Sequence, residues 1–126
     1  MRRVVRTAEA PAAVGPYSQG IAAAPFVFTA GQVGLDPATG KLVAGGIEAE
    51  TRRVLQNIQA ILEAAGASLA DVVKTTVFLT SMEDFAVMNR VYAEFFPDPP
   101  PARTTVAVQG LPAGARVEID ALARGA

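Results

Sequence analysis

An amphipathic stripe between residues 47 and 65 constrains the fold of this chain more than any other feature of its sequence. Its apolar residues recur at steps of three and four, which is the period of an α-helix buried along one side. Gly66 follows where a residue in the left-handed conformation can close the helix. The stripe therefore predicts a long helix packed on another layer. Its members are Ile47, Val54, Leu55, Ile58, Ile61, Leu62 and Ala65.

Strand-like segments surround this helix on both sides. The segment DVVKTTVFLT is rich in β-branched residues and predicts a central strand, and Ser81 with Asp84 marks the start of a second helix that Pro97 ends. The segments RRVVRT and PFVFTAGQVG predict strands near the start, and APAAVGPYSQG between them predicts an irregular loop. The segments ARTTVAV and ARVEIDALA predict two strands near the end. The order βββαβαββ indicates one α+β domain over residues 1–126, with a single mixed sheet and two helices on one face.

The composition removes several catalytic chemistries. The 126 residues include no cysteine and no histidine, so disulfides, thiolate nucleophiles, Ser-His-Asp triads and histidine-based zinc sites are excluded. Any catalysis must use carboxylates, arginine, tyrosine, hydroxyls, amides or backbone groups.

The charge balance and hydropathy bear on partners and location. The formal net charge is −1, which makes nucleic acid an unfavoured partner, although Arg2, Arg3 and Arg6 leave a small basic patch possible. No apolar stretch approaches the ~18 residues of a membrane-spanning helix, and the N-terminal segment lacks the apolar core of a signal peptide. We therefore expect a soluble cytoplasmic protein that does not enter a membrane.

The last two strands carry the most informative polar side chains. Alternation places Arg103 and Thr105 on one face of the first strand, and Glu118 and Asp120 on one face of the second. If the segment GLPAG closes an antiparallel hairpin, Glu118 lies across from Thr105 and diagonal to Arg103, at about 7–8 Å between backbones. Such a pair fits a small carboxylic acid bound between a guanidinium and a carboxylate. A surface ion pair fits the same pattern.

Several motifs in order resemble the RidA family, also called YjgF, of enamine/imine deaminases. They cover nearly the whole chain, and the GPYSQ loop, the AGQ turn and the PAR to VEI ending are specific in combination. The segments that carry the resemblance are APAAVGPYSQG, FTAGQVGLDPATGKL, NIQAILEAAGASLADVVKTTVFLTSMEDFAVMN, YAEFF, PARTTVAV and LPAGARVEIDALA.

The resemblance implies a chorismate-mutase-like α+β subunit and a homotrimer with active sites between neighbouring subunits. The implied substrates are short 2-enamine and 2-imine acids, such as 2-iminopropanoate and 2-iminobutanoate, which pyridoxal-phosphate enzymes release. Water hydrolyses the imine to a 2-oxo acid and ammonia. The resemblance implies no metal and no organic cofactor.

It also implies the catalytic roles of three residues. Arg103 would bind the substrate carboxylate. Glu118 would orient and deprotonate the attacking water, with the backbone carbonyl of Thr105 as a second acceptor, and would return a proton to the departing amine.

Three further residues are implied to contact substrate, and each has a plainer interpretation. Tyr17 would line the pocket entrance or simply pack its loop, and Asn89 would make a polar contact or bond within its own helix surroundings. Gly31 would bring backbone close to the ligand or serve a tight turn. The chain departs from many relatives at Ala30, where a serine is usual, and at Thr104, where a smaller residue is usual. These departures affect substrate preference and rate.

Two other functions stay open at this point. Relatives have been described as endoribonucleases or translation inhibitors, which would make RNA the target. A module that binds small carboxylates or a partner protein without turnover would use the same arginine.

Overall fold

A computed structural model describes residues 1–125 of the chain and shows one mixed sheet with two helices. The elements follow the predicted order. The strands are β1 Arg3–Val5, β2 Gly20–Ala23, β3 Phe26–Thr29, β4 Val72–Leu79, β5 Ala102–Ala107 and β6 Val117–Arg124, and the helices are α1 Gly46–Ala64 and α2 Phe85–Phe95. The predicted order has three strands before the first helix, but only two segments were assigned to them. The unassigned strand is β2, which begins at Gly20, the last residue of the segment expected to be an irregular loop.

The apolar stripe of α1 forms the centre of the core. Leu55, Ile58 and Leu62 are fully buried against the sheet and α2. Gly66 has φ +85°, and the amide of Ala67 donates to the carbonyl of Leu62 at 2.9 Å, so the helix closes as predicted. Burying a large aliphatic side chain contributes about 1.5–3 kcal/mol, which makes this stripe the main stabilising feature of the fold.

Helix α2 begins after a short 3₁₀ turn. Ser81 caps that turn by accepting a hydrogen bond from the amide of Glu83 at 3.1 Å, and the α-helix proper starts at Phe85. Met88 and Tyr92 are buried on its inner face. Helices α1 and α2 pack against each other on the same face of the sheet, as predicted.

The sheet order is β1-β2-β3-β6-β4-β5. All neighbouring strands are antiparallel except β4 and β5, which run parallel. The helices cover one face, called the helix face below, and the other is the open face. Within residues 1–125, neither helix combines the length and the hydrophobicity that a bilayer crossing requires.

The predicted hairpin between the last two strands is wrong. Strand β4 lies between β5 and β6, with Val77 paired to Thr105 on one side and to Ile119 on the other. Helix α2 forms a crossover that returns the chain parallel to β4, a connection that parallel strands require. The segment after β5 then carries the chain past β4 to its other edge. Thr105 and Glu118 are therefore about 10 Å apart across two strand spacings, not adjacent.

The open face of the sheet is largely apolar. Phe28 pairs with Leu122, and Phe78 lies between Val106 and Glu118, so these side chains share that face. Phe28 is 45% exposed and Val106 is 39% exposed in the single chain. Apolar side chains of this size on one sheet face are typical of a surface that another chain covers.

Candidate active site

The candidate catalytic residues Arg103 and Glu118 lie on opposite faces of the sheet. Arg103 pairs with Thr75 of β4, whose side chain is fully buried on the helix face. Glu118 pairs with Phe78, three residues further along the same strand, and so projects from the open face. One chain therefore cannot bring the guanidinium and the carboxylate together. Each belongs to a separate cluster, which we call the arginine half-site and the glutamate half-site.

In the arginine half-site, two aromatic rings of α2 support Arg103. The guanidinium carbon lies 4.9 Å from the ring centroid of Tyr92 and 5.6 Å from that of Phe85. Tyr92 is fixed in turn by a 2.7 Å hydrogen bond between its hydroxyl and that of Thr75. Within residues 1–125 Arg103 forms no ion pair. The planar guanidinium, with its two parallel N–H donors, is therefore held by stacking and is available for a carboxylate.

Two buried polar atoms beside this guanidinium have no partner within the described chain. They are Oγ1 of Thr105, two residues further along β5, and Oδ1 of Asn89, which shares the α2 side of Phe85 and Tyr92. A buried polar atom without a hydrogen bond costs free energy. A ligand or a second chain can satisfy both atoms.

The backbone of β5 adds a further acceptor. The amide of Val108 donates to the carbonyl of Leu79 in β4 at 2.8 Å. Because successive residues of a strand direct their backbone groups to alternate sides, the carbonyl of Thr105 points away from β4. Strand β5 is an edge strand, so this carbonyl lies at the free edge of the sheet.

The glutamate half-site is built on a close approach between β6 and the segment after β3. Gln32 and Ile119 exchange backbone hydrogen bonds of 2.8 and 3.1 Å, which holds the neighbouring Gly31 against Glu118. A Cβ atom at Gly31 would collide with Oε2 of Glu118, so a larger residue there would displace the carboxylate. Gly31 thus serves a close approach, and its φ is not in the left-handed region.

Tyr17 lies on the GPYSQ loop near this half-site, and its hydroxyl accepts a 3.4 Å hydrogen bond from the amide of Val14 in the same loop. The amide of Ala30 donates to the carbonyl of Gln19 at 2.8 Å, which sets the loop beside Gly31. Tyr17, Ser18 and Ala30 line a cavity of 670 Å³, and Tyr17 is half-exposed in the single chain. The volume exceeds what a three- or four-carbon acid needs.

The Glu118 carboxyl is electrostatically unusual. Burial and, after it, the negative charge of Asp120 raise the pKa of Glu118 above its ordinary value. A carboxyl with a raised pKa exchanges a proton closer to neutral pH, which suits an acid and base catalyst.

Some contributors to the two half-sites were not predicted as site residues. Phe85 and Tyr92 are seven residues apart and so lie on one side of α2, and this spacing is the signal that could have indicated them. Gln19 is buried and donates through its amide to the carbonyls of Thr7, Ala10 and Pro11, which ties the loop to the N-terminal segment.

Comparison with known proteins supports a family assignment. Residues 7–124 match the family described as Endoribonuclease L-PSP. The chain is 54% identical to a RutC family protein of Pyrococcus horikoshii, covering 98% of both chains. It is 47% identical to the 2-iminobutanoate/2-iminopropanoate deaminase of Mus musculus, covering 98% of this chain and 91% of that protein.

A solved structure agrees with this assignment. TdcF of E. coli with bound serine has a TM-score of 0.94 and 40% identity, covering 98% of this chain and 99% of that one. Both the sequence and the fold thus match throughout, and the resemblance noted in the sequence is confirmed. The chain belongs to the Endoribonuclease L-PSP family, which is the RidA, or YjgF, family.

Proposed function

We propose that this protein hydrolyses short 2-imino acids, such as 2-iminopropanoate and 2-iminobutanoate, to 2-oxo acids and ammonia. The observation that carries the proposal is the pair of incomplete half-sites: a stacked, unpaired guanidinium and a carboxyl in contact with glycine. Relatives named for this activity support the same reaction. An enamine reaches the reaction as its imine tautomer.

Arg103 binds the substrate carboxylate through two parallel hydrogen bonds, because its fork matches a carboxylate and has no competing acid in the described chain. Stacking on Tyr92 and Phe85 fixes the plane of the fork. The substrate C2 atom is then placed at a set distance from this anchor. Positioning of this kind supplies much of the rate enhancement when the substrate is already electrophilic.

Glu118 acts first as the general base and then as the general acid. It accepts a proton from a water molecule whose oxygen attacks C2 of the protonated imine, and the C=N bond becomes a single bond in a carbinolamine. The carbonyl of Thr105 holds the second hydrogen of that water. Glu118 then returns its proton to the amino nitrogen and the C–N bond breaks as ammonia leaves. Glu118 takes the remaining proton of the hydroxyl group, whose oxygen becomes the carbonyl of the 2-oxo acid, and passes that proton to the ammonia, which departs as ammonium.

The complete site requires two copies of the chain. Arg103 of one copy meets Glu118 of the next, with Tyr17 and Gly31 beside the carboxylate and Asn89 beside the guanidinium. Such a contact joins two different surfaces, so it is heterologous and closes into a ring when the rotation allows. The family resemblance supports a ring of three copies. The apolar open face, with Phe28 and Val106 exposed in the single chain, supports burial in this assembly.

The test generates the imine in situ with a threonine dehydratase and follows 2-oxo acid formation with and without the protein. We expect acceleration by the wild-type protein and a loss of at least 100-fold in kcat/KM for Arg103→Ala. Arg103→Lys keeps the charge but loses the fork, so it recovers only part of the rate. Glu118→Gln should abolish turnover while binding is kept. An unchanged rate in Arg103→Ala contradicts the proposed anchor.

Binding of small amino or keto acids without turnover is the second candidate, favoured by the relative that holds serine. It predicts binding by calorimetry and no acceleration by the wild-type protein. RNA cleavage, which the family description names, predicts affinity that falls steeply with salt. The imine assay separates all three outcomes.

A further inference from the structure

The open face carries a group of polar side chains next to the glutamate half-site. Asp120 follows Glu118 by two residues on β6, so both carboxyls project from the same face at about 7 Å between backbones. Asp120 is paired with Thr76 of β4, and Lys74 lies two residues before Thr76 on the same face. These residues form a charged row beside the candidate catalytic acid.

We propose that Asp120 is a positioning residue for the Glu118 proton: its carboxyl, two residues from Glu118 on the same face of β6 and paired across the sheet with Thr76, acts on the Glu118 carboxyl through its charge. This inference rests on the proposed function and assigns a role to a residue outside the catalytic set. Asp120 acts through charge, and it does not need to touch substrate.

The electrostatics agree with this geometry. Asp120 is the one charged group within residues 1–125 that acts on the pKa of Glu118, and it acts after burial in the same upward direction. Burial also raises the pKa of Asp120, but hydrogen bonding by Thr76 and the charge of Lys74 oppose that rise. Burial outweighs both, so the pKa of Asp120 stays above its ordinary value.

Lys74 is held in place by its neighbour. Its Nζ atom donates to Oγ1 of Thr104 on β5 at 2.6 Å. The ammonium is thus drawn toward β5, on the opposite side of β4 from the two carboxyls. Thr104, which differs from the smaller residue of many relatives, gains a structural role through this bond.

Other charged side chains lie on the elements around Glu118. Arg2 lines the same cavity as Tyr17 and Ala30. Arg116, two residues earlier, is engaged by Asp84 through hydrogen bonds of 3.2 and 2.8 Å. Arg124 lies at the far end of β6, six residues from Glu118, and β3 and β5 place no charged side chain on the open face. In the proposed ring, Arg103 of the next copy faces Glu118 from outside the chain. It acts equally in all variants compared below.

The test measures the acidic limb of the kcat/KM profile in Asp120→Asn, Lys74→Met and Glu63→Gln. Removing the Asp120 charge lowers the proton affinity of Glu118, so the midpoint should move down by about 0.5–1 pH unit. Removing the Lys74 charge leaves Asp120 less ionised, so Lys74→Met should move the midpoint in the same direction by a smaller amount. Glu63→Gln removes one negative charge on the other side of the sheet and should leave the midpoint unchanged. Substrate ionisation is common to all variants and cancels in the comparison.

A second readout does not depend on turnover. Carbon-13 NMR of labelled glutamate, with Glu118→Gln to assign the signal, gives the Glu118 midpoint directly. A downward shift in Asp120→Asn that exceeds that of Glu63→Gln supports the inference, and an unchanged or upward midpoint overturns it. If the wild-type protein shows no deaminase activity, the proposed function fails while the NMR titration still decides the role of Asp120.

Discussion

At the scale of single residues, the close approach of Gly31 to Glu118 gives the sharpest prediction. A methyl group in Gly31→Ala would displace the carboxylate, so we expect kcat/KM to fall about 100-fold. The unfolding free energy should change by less than about 1 kcal/mol, because the displaced atoms are the end of a flexible side chain.

The matched control is Gly110→Ala. A Cβ at Gly110 meets no atom within 4 Å, so this variant should keep both activity and stability. Steady-state kinetics and urea denaturation of the two variants check the pair. Equal activity in the two variants would mean that the close approach of Gly31 to Glu118 does not matter for catalysis.

The residue types of the site could be predicted from sequence, but their spatial relation could not. Without histidine and cysteine, arginine and glutamate were the natural candidates for anchor and base. The side on which each projects also followed from alternation within its own strand. Which faces of different strands coincide depends on pairing, and the pairing of β4 with both β5 and β6 has no local signature.

At the scale of elements, α1 positions the segment that carries Gly31. Asn57 is fully buried on α1, and its amide nitrogen donates to the carbonyls of Val33 at 3.3 Å and Leu35 at 3.0 Å. Replacing it by leucine removes this buried donor from the carbonyl of Leu35 and leaves the carbonyl of Val33 with the amide of Leu35 alone. We expect Asn57→Leu to destabilise the fold by about 2–4 kcal/mol.

Urea denaturation measures this loss. Gln56→Ala, at an exposed position of the same helix, should stay within about 0.5 kcal/mol of the wild-type protein. A loss in Asn57→Leu no larger than that control would mean that α1 does not anchor the segment.

The elements themselves were largely predictable because their patterns are local. The stripe of α1, its closure at Gly66 and the inner face of α2 follow from helical periodicity. The hairpin failed because QGLPAG reads as a tight turn, whereas the chain there spans the end of β4 to reach its other edge. A parallel neighbour for β4 is favoured by the α2 crossover, which is a longer-range consideration than turn chemistry.

At the scale of the whole molecule, the separation of the two half-sites predicts complementation between inactive variants. Arg103→Ala and Glu118→Gln each disable every site when alone. If they are mixed in equal amounts and exchange subunits, about a quarter of the sites combine an intact arginine with an intact glutamate. We therefore expect activity to recover to about a quarter of the wild-type value.

The control is the double variant, in which every chain carries both substitutions. It should stay inactive after the same exchange treatment. The mass in solution should be three times the 13.0 kDa subunit mass, and light scattering measures it. A monomeric mass, or no recovery after verified exchange, would contradict a site shared between copies.

The placement of Arg103 and Glu118 on opposite faces has a genetic consequence. In the proposed ring every subunit serves two different catalytic centres, one with each face. An allele that damages one face inactivates one catalytic centre for each defective subunit in the ring. An allele that damages both faces inactivates two centres for each defective subunit. Co-expressed with a normal copy, the second kind of allele is the more dominant, although both are null on their own.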